Sequence, residues 1–354
     1  MFEPLTLRHG PTWPNRYALA PLTNTQSHPD GTLSDDEHRW LTMRAQGGFG
    51  LVMTCASHVQ AVGQGFPGQL GIFGDEHLPG LRRLAEDIRS HGSVSSVQLH
   101  HAGYRSPADL VGQPVGPSDD EATGSRGLTA EEVEQLAEDF VLAALRAQEA
   151  GFDGVEIHGA HGYVLAQFLS SEDNRRTDRY GGQLAGRSRL LLDVVRGIRD
   201  RCRPDFQLGL RLSPERFGMR LGEVRELCEE LLASQLLDYL DLSLWDTAKQ
   251  PVEPEFADRP LMQWFTDLER HGARLGVAGK VMTAARADEL LEEGADFVML
   301  GRAAILHHDF PLQAARDRAF TARDLPVTAQ ELADEGLGPA FITYMGGWRG
   351  FVDY

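Results

Sequence analysis

Cysteine is scarce in this chain. Its 354 residues include three, Cys55, Cys202 and Cys228, which lie far apart and form no C-x-x-C pair. This pattern argues against a disulfide framework, a structural zinc site and a cysteine-ligated iron–sulfur cluster. No basic segment followed by an apolar run opens the sequence, and no stretch approaches the ~18 apolar residues of a membrane span. We therefore expect a reduced, cytoplasmic protein that does not enter a membrane.

Basic residues are also fewer than acidic ones. Lysine and arginine total 34 against 52 aspartates and glutamates, which gives a formal net charge of −18. Nucleic acids and anionic membrane surfaces select for basic patches. The charge balance therefore predicts an acidic surface and excludes nucleic acid as an expected partner.

Short apolar runs alternate with longer amphipathic segments along the chain. We predict strands at Arg16–Ala20, Gly50–Thr54, Val94–Leu99, Gly154–Ile157, Gln207–Leu212, Tyr239–Leu242, Gly276–Ala278 and Phe297–Leu300. Strands that alternate with helices indicate an α/β protein with a parallel sheet, most simply a closed (β/α)8 TIM barrel. A doubly wound open sheet is the alternative. The first strand is not followed by a G-x-G-x-x-G motif, which argues against that alternative.

Helix signals support this alternation. Ser34 with Glu37 and Thr129 with Glu132 each fit a capping box ahead of a helical pattern. No repeat, low-complexity tract or linker divides the chain, so we expect residues 1–354 to form a single barrel domain. Within it, 105–127 is predicted to be a loop over the barrel mouth, and 336–354 a C-terminal tail outside the barrel.

The fourth predicted strand ends in the most informative residues. His158, His161 and Tyr163 follow it within a few positions, and the carboxyl ends of barrel strands carry the chemistry. Two donors and one acid suggest a site that holds a carbonyl or phenolate oxygen and protonates a nearby carbon. A metal site is the alternative, with Glu156 as a third ligand, but two histidines without a clear carboxylate partner support it weakly.

Other strand ends carry groups suited to a phosphorylated, flat ligand. Gly279-Lys280 and Gly301-Arg302 follow the last two strands, where barrels often bind a phosphate. Gln98 and Arg211 lie in the third and fifth strands and suit the polar edge of a ring, while Ala56 leaves room for its face. Flavin mononucleotide (FMN) has a phosphate, a planar ring and such an edge, and a flavin carries hydride chemistry itself.

In this order, the motifs resemble the old yellow enzyme family of FMN-dependent NADH:flavin oxidoreductases and ene-reductases. The resemblance rests on Asn15–Thr23, Gln98–Gly103, Ala150–Ser170, Asn174–Gly182 and Gly301-Arg302. It implies that FMN is held by Ala20, Pro21, Leu22, Thr23, Ala56, Gln98, Arg211, Gly279, Lys280, Gly301 and Arg302. It also implies that His158 and His161 bind a substrate carbonyl, that Tyr163 donates a proton, and that Thr25 lies at the substrate. A subclass with cysteine and tyrosine at positions 23 and 25 is not matched.

The implied activity is reduction of the C=C bond of α,β-unsaturated carbonyl compounds with hydride from NAD(P)H, by a ping-pong mechanism at one site. Two alternatives stay open at this point: an FMN barrel of another reaction type, such as an oxidative demethylase or dehydrogenase, and a non-flavin, metal-dependent barrel hydrolase. The physiological substrate, the choice of NADH or NADPH, the formation of a homo-oligomer and the role of Arg349 are not determined by the sequence.

Overall fold

Eight parallel strands close into a barrel. The computed structural model describes residues 1–353. The barrel strands are β1 Tyr17–Leu19, β2 Leu51–His58, β3 Val94–His100, β6 Gly154–Gly159, β7 Gln207–Leu212, β8 Tyr239–Ser243, β9 Arg274–Ala278 and β10 Phe297–Leu300. They neighbour one another in the order β1-β10-β9-β8-β7-β6-β3-β2. The predicted TIM barrel is confirmed, and every predicted strand is present. The main difference is β2, which continues past its predicted end at Thr54.

Helices fill the connections, as the amphipathic segments predict. They are α1 Asp35–Gln46, α2 Leu78–Ser90, α3 Ala108–Val111, α4 Ala130–Glu149, α5 Val164–Leu169, α6 Leu184–Arg187, α7 Arg189–Arg201, α8 Leu221–Ser234, α9 Gln263–Thr266, α10 Ala284–Glu292, α11 Arg302–Leu306, α12 Phe310–Arg316, α13 Ala329–Asp334 and α14 Pro339–Gly346. Short 3₁₀ turns lie at Ala61–Gly63, Asp75–His77, Gly103–Arg105 and Pro254–Phe256. None of the helices in residues 1–353 is both long enough and apolar enough to cross a membrane.

The amino-terminal end of the barrel is plugged by an aromatic cluster. Trp13 packs against Phe297 and Tyr239, with ring centroids 4.9 and 5.6 Å apart, and its indole N–H donates to Gln207 Oε1 at 3.0 Å. These side chains are fully buried, so they close this end to water and form a core inside the strands. The opposite end, where the strands terminate, is therefore the open one.

Helix caps follow the predicted signals in one case fully and in the other only in part. Thr129 and Glu132 form the reciprocal capping box at the start of α4. Ser34 accepts the Glu37 backbone N–H, but the Glu37 carboxylate accepts hydrogen bonds from Asn24 Nδ2 and Ser27 Oγ instead of returning to the cap. The second box was therefore predicted wrongly. Buried polar groups in the loop after β1 need an acceptor, and Glu37 supplies it.

Two pairs of short strands lie outside the barrel sheet. The loop 105–127 contains α3 and a pair of two-residue strands, β4 Val115–Gly116 and β5 Arg126–Gly127. The tail contributes α14 and the strand β12 Val352–Asp353, which pairs with β11 Val327–Thr328. Phe341 of α14 packs edge-on against Trp40 of α1 at 4.9 Å. This contact anchors the tail beside the barrel mouth.

Candidate active site

A cavity opens at the carboxyl ends of the barrel strands. Its volume is about 350 Å³, within the ~300–1,000 Å³ typical of small-molecule sites. It is lined by fourteen of the residues that the sequence singled out: Ala20, Pro21, Leu22, Thr23, Ala56, Gln98, His158, His161, Tyr163, Arg211, Gly279, Lys280, Gly301 and Arg302. Thr25 is not among the lining residues, and its hydroxyl donates to the backbone oxygen of Asn24 at 2.7 Å.

Strand register brings the polar floor of the cavity together. Gln98 lies beside Glu156 across β3 and β6, and Arg211 lies beside Asp241 across β7 and β8. Gln98 Nε2 donates to Glu156 Oε1 at 2.7 Å, and Arg211 Nε lies 3.1 Å from Asp241 Oδ2. Burial raises the pKa of both carboxyl groups, because the interior disfavours the charged form of a carboxyl group.

This floor fits the pyrimidine edge of a flavin. Within residues 1–353, the carbonyl oxygen of Gln98 has no hydrogen-bond donor and Nη1 of Arg211 has no acceptor. A pyrimidine-like edge offers an N–H donor and carbonyl acceptors, which complement these two groups. Ala20 and Ala56 present no side chain beyond Cβ, so a flat ring can lie close to the strands.

The other end of the cavity is suited to a phosphate, with an unequal pair of cations. A Cβ on Gly279 would lie 2.8 Å from the backbone N of Asp246, so only glycine allows this close approach. Lys280 is half exposed and donates to Asp246 Oδ2 at 2.7 Å. Across the described chain, Arg302 has no carboxylate within ion-pair distance. Arg302 is therefore the cation whose charge is uncommitted.

This difference predicts which cation matters more for holding FMN. Replacing Arg302 with alanine should weaken FMN binding by about 10- to 100-fold, the effect of losing a charge-assisted hydrogen bond. Lys280→Ala should weaken FMN binding less, because the Lys280 ammonium group already forms an ion pair with the Asp246 carboxylate. Titration of the apoprotein with FMN, followed by flavin fluorescence, measures both dissociation constants. Asp246→Asn is the matched control and should tighten binding; equal losses for Lys280→Ala and Arg302→Ala would contradict the prediction.

Three histidines and a serine form a continuous hydrogen-bonded line along one wall. His158 Nε2 lies 2.9 Å from His161 Nδ1, and His158 Nδ1 lies 2.9 Å from His100 Nδ1. His161 Nε2 lies 2.6 Å from Ser243 Oγ. The sequence indicated His158 and His161 but assigned no role to His100 or Ser243. Strand alternation places His100 on the same face as Gln98, which is the only signal that pointed to it.

Tyr163 completes this wall as a protonated phenol. Its ring meets those of His100 and His158 edge-on, with centroids 4.4 and 5.2 Å apart. Burial raises the pKa of Tyr163, so the hydroxyl keeps its proton at neutral pH. The Arg105 guanidinium lies 4.8 Å from the centre of the ring and also donates to the backbone oxygen of His161. No sequence pattern pointed to Arg105.

The wall histidines are neutral. Burial lowers the pKa of His161 to about 3 and holds the pKa values of His100 and His158 well below the usual range, because the interior disfavours an imidazolium. Each ring therefore carries one N–H and one acceptor nitrogen across the physiological range.

The buried histidines predict a loss of stability in mild acid. The pKa is lowered to about 4 for His58 and about 3 for His101 and His161, whereas an unfolded histidine takes up its proton near pH 6.5. Between these values the unfolded chain binds more protons, so the free energy of unfolding falls as the pH drops below about 6.5. Each histidine contributes up to ~1.4 kcal/mol per pH unit in this window.

Urea denaturation at pH 8, 7, 6.5 and 5 measures this effect. The free energy of unfolding should change little between pH 8 and 7 and should fall by several kcal/mol towards pH 5. His101→Gln removes one titrating group outside the cavity and should flatten the slope. Equal stability at pH 6.5 and 5 would contradict the neutral assignment of these rings.

The C-terminal tail forms part of the cavity mouth. Tyr344, Met345 and Trp348 line it together with Phe66 and Trp245, and Trp348 and Trp245 remain 45% and 69% exposed. The sequence predicts that the tail lies outside the barrel. Its aromatic side chains nevertheless reach the mouth, because α14 is held against α1.

The described residues form no metal-binding cluster around the histidines. Among residues 1–353 there is no group of three or more His, Cys, Asp or Glu side chains arranged to hold an ion. Glu156, the candidate third ligand, is instead engaged by Gln98 on the cavity floor.

The chain is similar to known flavin oxidoreductases over most of its length. Residues 1–320 match the model of the NADH:flavin oxidoreductase / NADH oxidase family. The chain is 36% identical over 330 residues to the probable NADH-dependent flavin oxidoreductase YqiG of Bacillus subtilis, covering 90% of this chain and 88% of that protein. It is 34% identical over 317 residues to an NADPH dehydrogenase of Listeria welshimeri, covering 86% and 91% of the two chains.

A solved structure extends the likeness to the fold. Morphinone reductase in complex with tetrahydroNAD superposes with a TM-score of 0.79 at 28% identity, covering 94% of this chain and 93% of that one. The resemblance noted in the sequence is thereby confirmed, and so is the cofactor, FMN, with NAD(P)H as reductant. The chain belongs to the NADH:flavin oxidoreductase / NADH oxidase family, that of the old yellow enzymes.

Proposed function

We propose that this flavin oxidoreductase is an ene-reductase that reduces the C=C bond of α,β-unsaturated carbonyl compounds. The observation that carries the proposal is the wall formed by His158, His161 and Tyr163. Two neutral imidazole groups adjoin a phenol that keeps its proton, in the same cavity as the flavin-edge partners Gln98 and Arg211. A hydrogen-bond clamp beside an acid is the arrangement that conjugate reduction needs.

The protein groups have separate roles in this reaction. FMN, when bound, would supply the hydride chemistry that links oxidation of NAD(P)H to reduction of the substrate C=C bond. His158 and His161 donate hydrogen bonds to the carbonyl oxygen and stabilise the negative charge that develops there. Their facing nitrogens lie 2.9 Å apart, so the rings must part to admit the oxygen. Tyr163 then donates its proton to the α-carbon.

The residues proposed to hold FMN are those that line the phosphate end, the floor and the β1 side of the cavity. Thr23 would donate to the flavin C4 carbonyl, and Gln98 and Arg211 would meet the pyrimidine edge. Gly279, Lys280, Gly301 and Arg302 would hold the phosphate. One mouth serves both NAD(P)H and the enone, so we expect the two to bind in turn and to give ping-pong kinetics.

An absorption spectrum followed by two anaerobic titrations tests the function. The purified protein should show flavin bands that bleach on addition of NADH or NADPH, and cyclohexenone should restore them. A protein that stays colourless when offered FMN would exclude a flavin enzyme. Bleaching without reoxidation by a panel of enones would favour an oxidative demethylase or dehydrogenase instead.

A further inference from the structure

The two ends of the histidine line differ in chemistry. Arg211, a pure donor, has Nη2 3.4 Å from Ser243 Oγ at one end, so the serine hydroxyl can accept there and donate its own proton to His161 Nε2 at 2.6 Å. The other end is His100, which is 1% exposed and meets His158 through Nδ1 at 2.9 Å. The serine end therefore sets the tautomer of His161, whereas the direction of the hydrogen bond between His100 and His158 depends on the tautomers of those two rings.

Proton counting shows what a two-histidine clamp requires. A neutral His161 that accepts from Ser243 at Nε2 carries its proton on Nδ1, towards the carbonyl. His158 must carry its single proton on Nε2 to donate to the same oxygen. Its Nδ1 is then an acceptor, and within residues 1–353 the only side chain that reaches this nitrogen is His100. A clamp therefore needs a proton on Nδ1 of His100.

We propose that His100 is a positioning residue that donates its Nδ1–H to His158 and so holds His158 in the tautomer that hydrogen-bonds the substrate oxygen. This inference rests on the proposed carbonyl clamp. Each of the three rings keeps one proton, so the arrangement needs no net proton uptake. Burial, which lowers the pKa of His100 and His158, keeps both rings neutral and makes the choice of tautomer decisive.

A purely structural role for His100 has different consequences. Its ring also packs edge-on against Tyr163, and an apolar side chain of similar shape would preserve that packing. Leucine places carbon where the imidazole has Nδ1, whereas asparagine places an amide N–H donor near the same point. The two substitutions therefore separate packing from hydrogen bonding.

The test uses the FMN-loaded enzyme and para-chlorophenol, whose oxygen stands in for the substrate oxygen. Dissociation constants are read from the change in the flavin spectrum for the wild type and for His100→Leu, His100→Asn and the matched control His101→Gln. His101 contacts Gln60 and Gly103 instead of the histidine line. Nitrogen-15 NMR of histidine-labelled enzyme with the phenol bound reports directly which nitrogen of His158 carries the proton.

His100→Leu should weaken phenol binding about tenfold, the cost of one lost hydrogen bond in a buried site. His100→Asn should stay within about threefold of the wild type, and His158 should be protonated at Nε2. Wild-type affinity for His100→Leu, equal losses for the two variants, or a proton on Nδ1 of His158 would each overturn the inference. If His158→Ala binds the phenol as tightly as the wild type, the proposed clamp itself fails, which is a distinct result.

Discussion

Replacing Tyr163 with phenylalanine should slow reoxidation of the reduced enzyme by an enone by about 10²- to 10⁴-fold, the usual contribution of a positioned acid. Burial raises the pKa of Tyr163, so the phenol is protonated at the pH of the assay and is ready to donate. Phenylalanine keeps the edge contacts with His100 and His158 and removes only the hydroxyl. Anaerobic stopped-flow measurement of each half-reaction gives the two rates separately.

Reduction of the flavin by NAD(P)H should be nearly unchanged in Tyr163→Phe, because hydride transfer from the nicotinamide needs no proton at the α-carbon. Tyr180→Phe is the matched control, since Tyr180 does not line the cavity. An unchanged oxidative half-reaction in Tyr163→Phe would remove this residue from the acid role. Equal slowing of both half-reactions would indicate a change in cavity shape instead.

Loss of either clamp histidine is the second large effect. His158→Ala and His161→Ala should each lower the rate of enone reduction by about 10²- to 10³-fold, the usual cost of removing one donor from an oxyanion site. The effect is large because the site is buried, where a hydrogen bond to developing charge is stronger than in water. Single-turnover measurement with reduced enzyme and cyclohexenone isolates this step.

The neutral state of these rings adds a pH signature. Because burial lowers the pKa of His161 to about 3 and that of His158 well below the usual range, the hydride transfer rate should not follow a histidine titration between pH 6 and 8. A rate that rises or falls through an apparent pKa near 6.5 would place a charged imidazole in the site. His101→Gln, which leaves the wall untouched, should retain the wild-type rate.

Much of the fold could be predicted from local pattern. The periodicity of a strand or a helix appears in consecutive residues, so all eight barrel strands could be predicted. The Thr129 cap was also predicted correctly. The Ser34 box failed because the Glu37 side chain is bonded to Asn24 and Ser27. A capping-box pattern spans four residues, so it carries no information about the loop before α1, whose buried polar groups need the Glu37 carboxylate as an acceptor.

The residues of the candidate site were likewise predicted only in part. Residues at the ends of strands were predicted because every parallel strand ends at the same face of a barrel. Gln98, His158 and Arg302 therefore line one cavity although they are far apart in sequence. Ser243, Arg105 and Tyr344 were missed, since a serine, a loop arginine and a tail tyrosine carry no pattern that marks a site.

The sequence by itself determined the barrel and the residues at its mouth, because these depend on periodicity and on the common direction of the strands. The flavin chemistry followed from the resemblance of its motifs to a known family. Only the tertiary structure decided how those residues are connected. Lys280 forms an ion pair with Asp246, whereas Arg302 has no carboxylate partner within residues 1–353. His100 and Ser243 lie at the two ends of a line of hydrogen bonds through His158 and His161. Donors and acceptors pair over a few ångströms in space, and sequence distance does not encode that proximity.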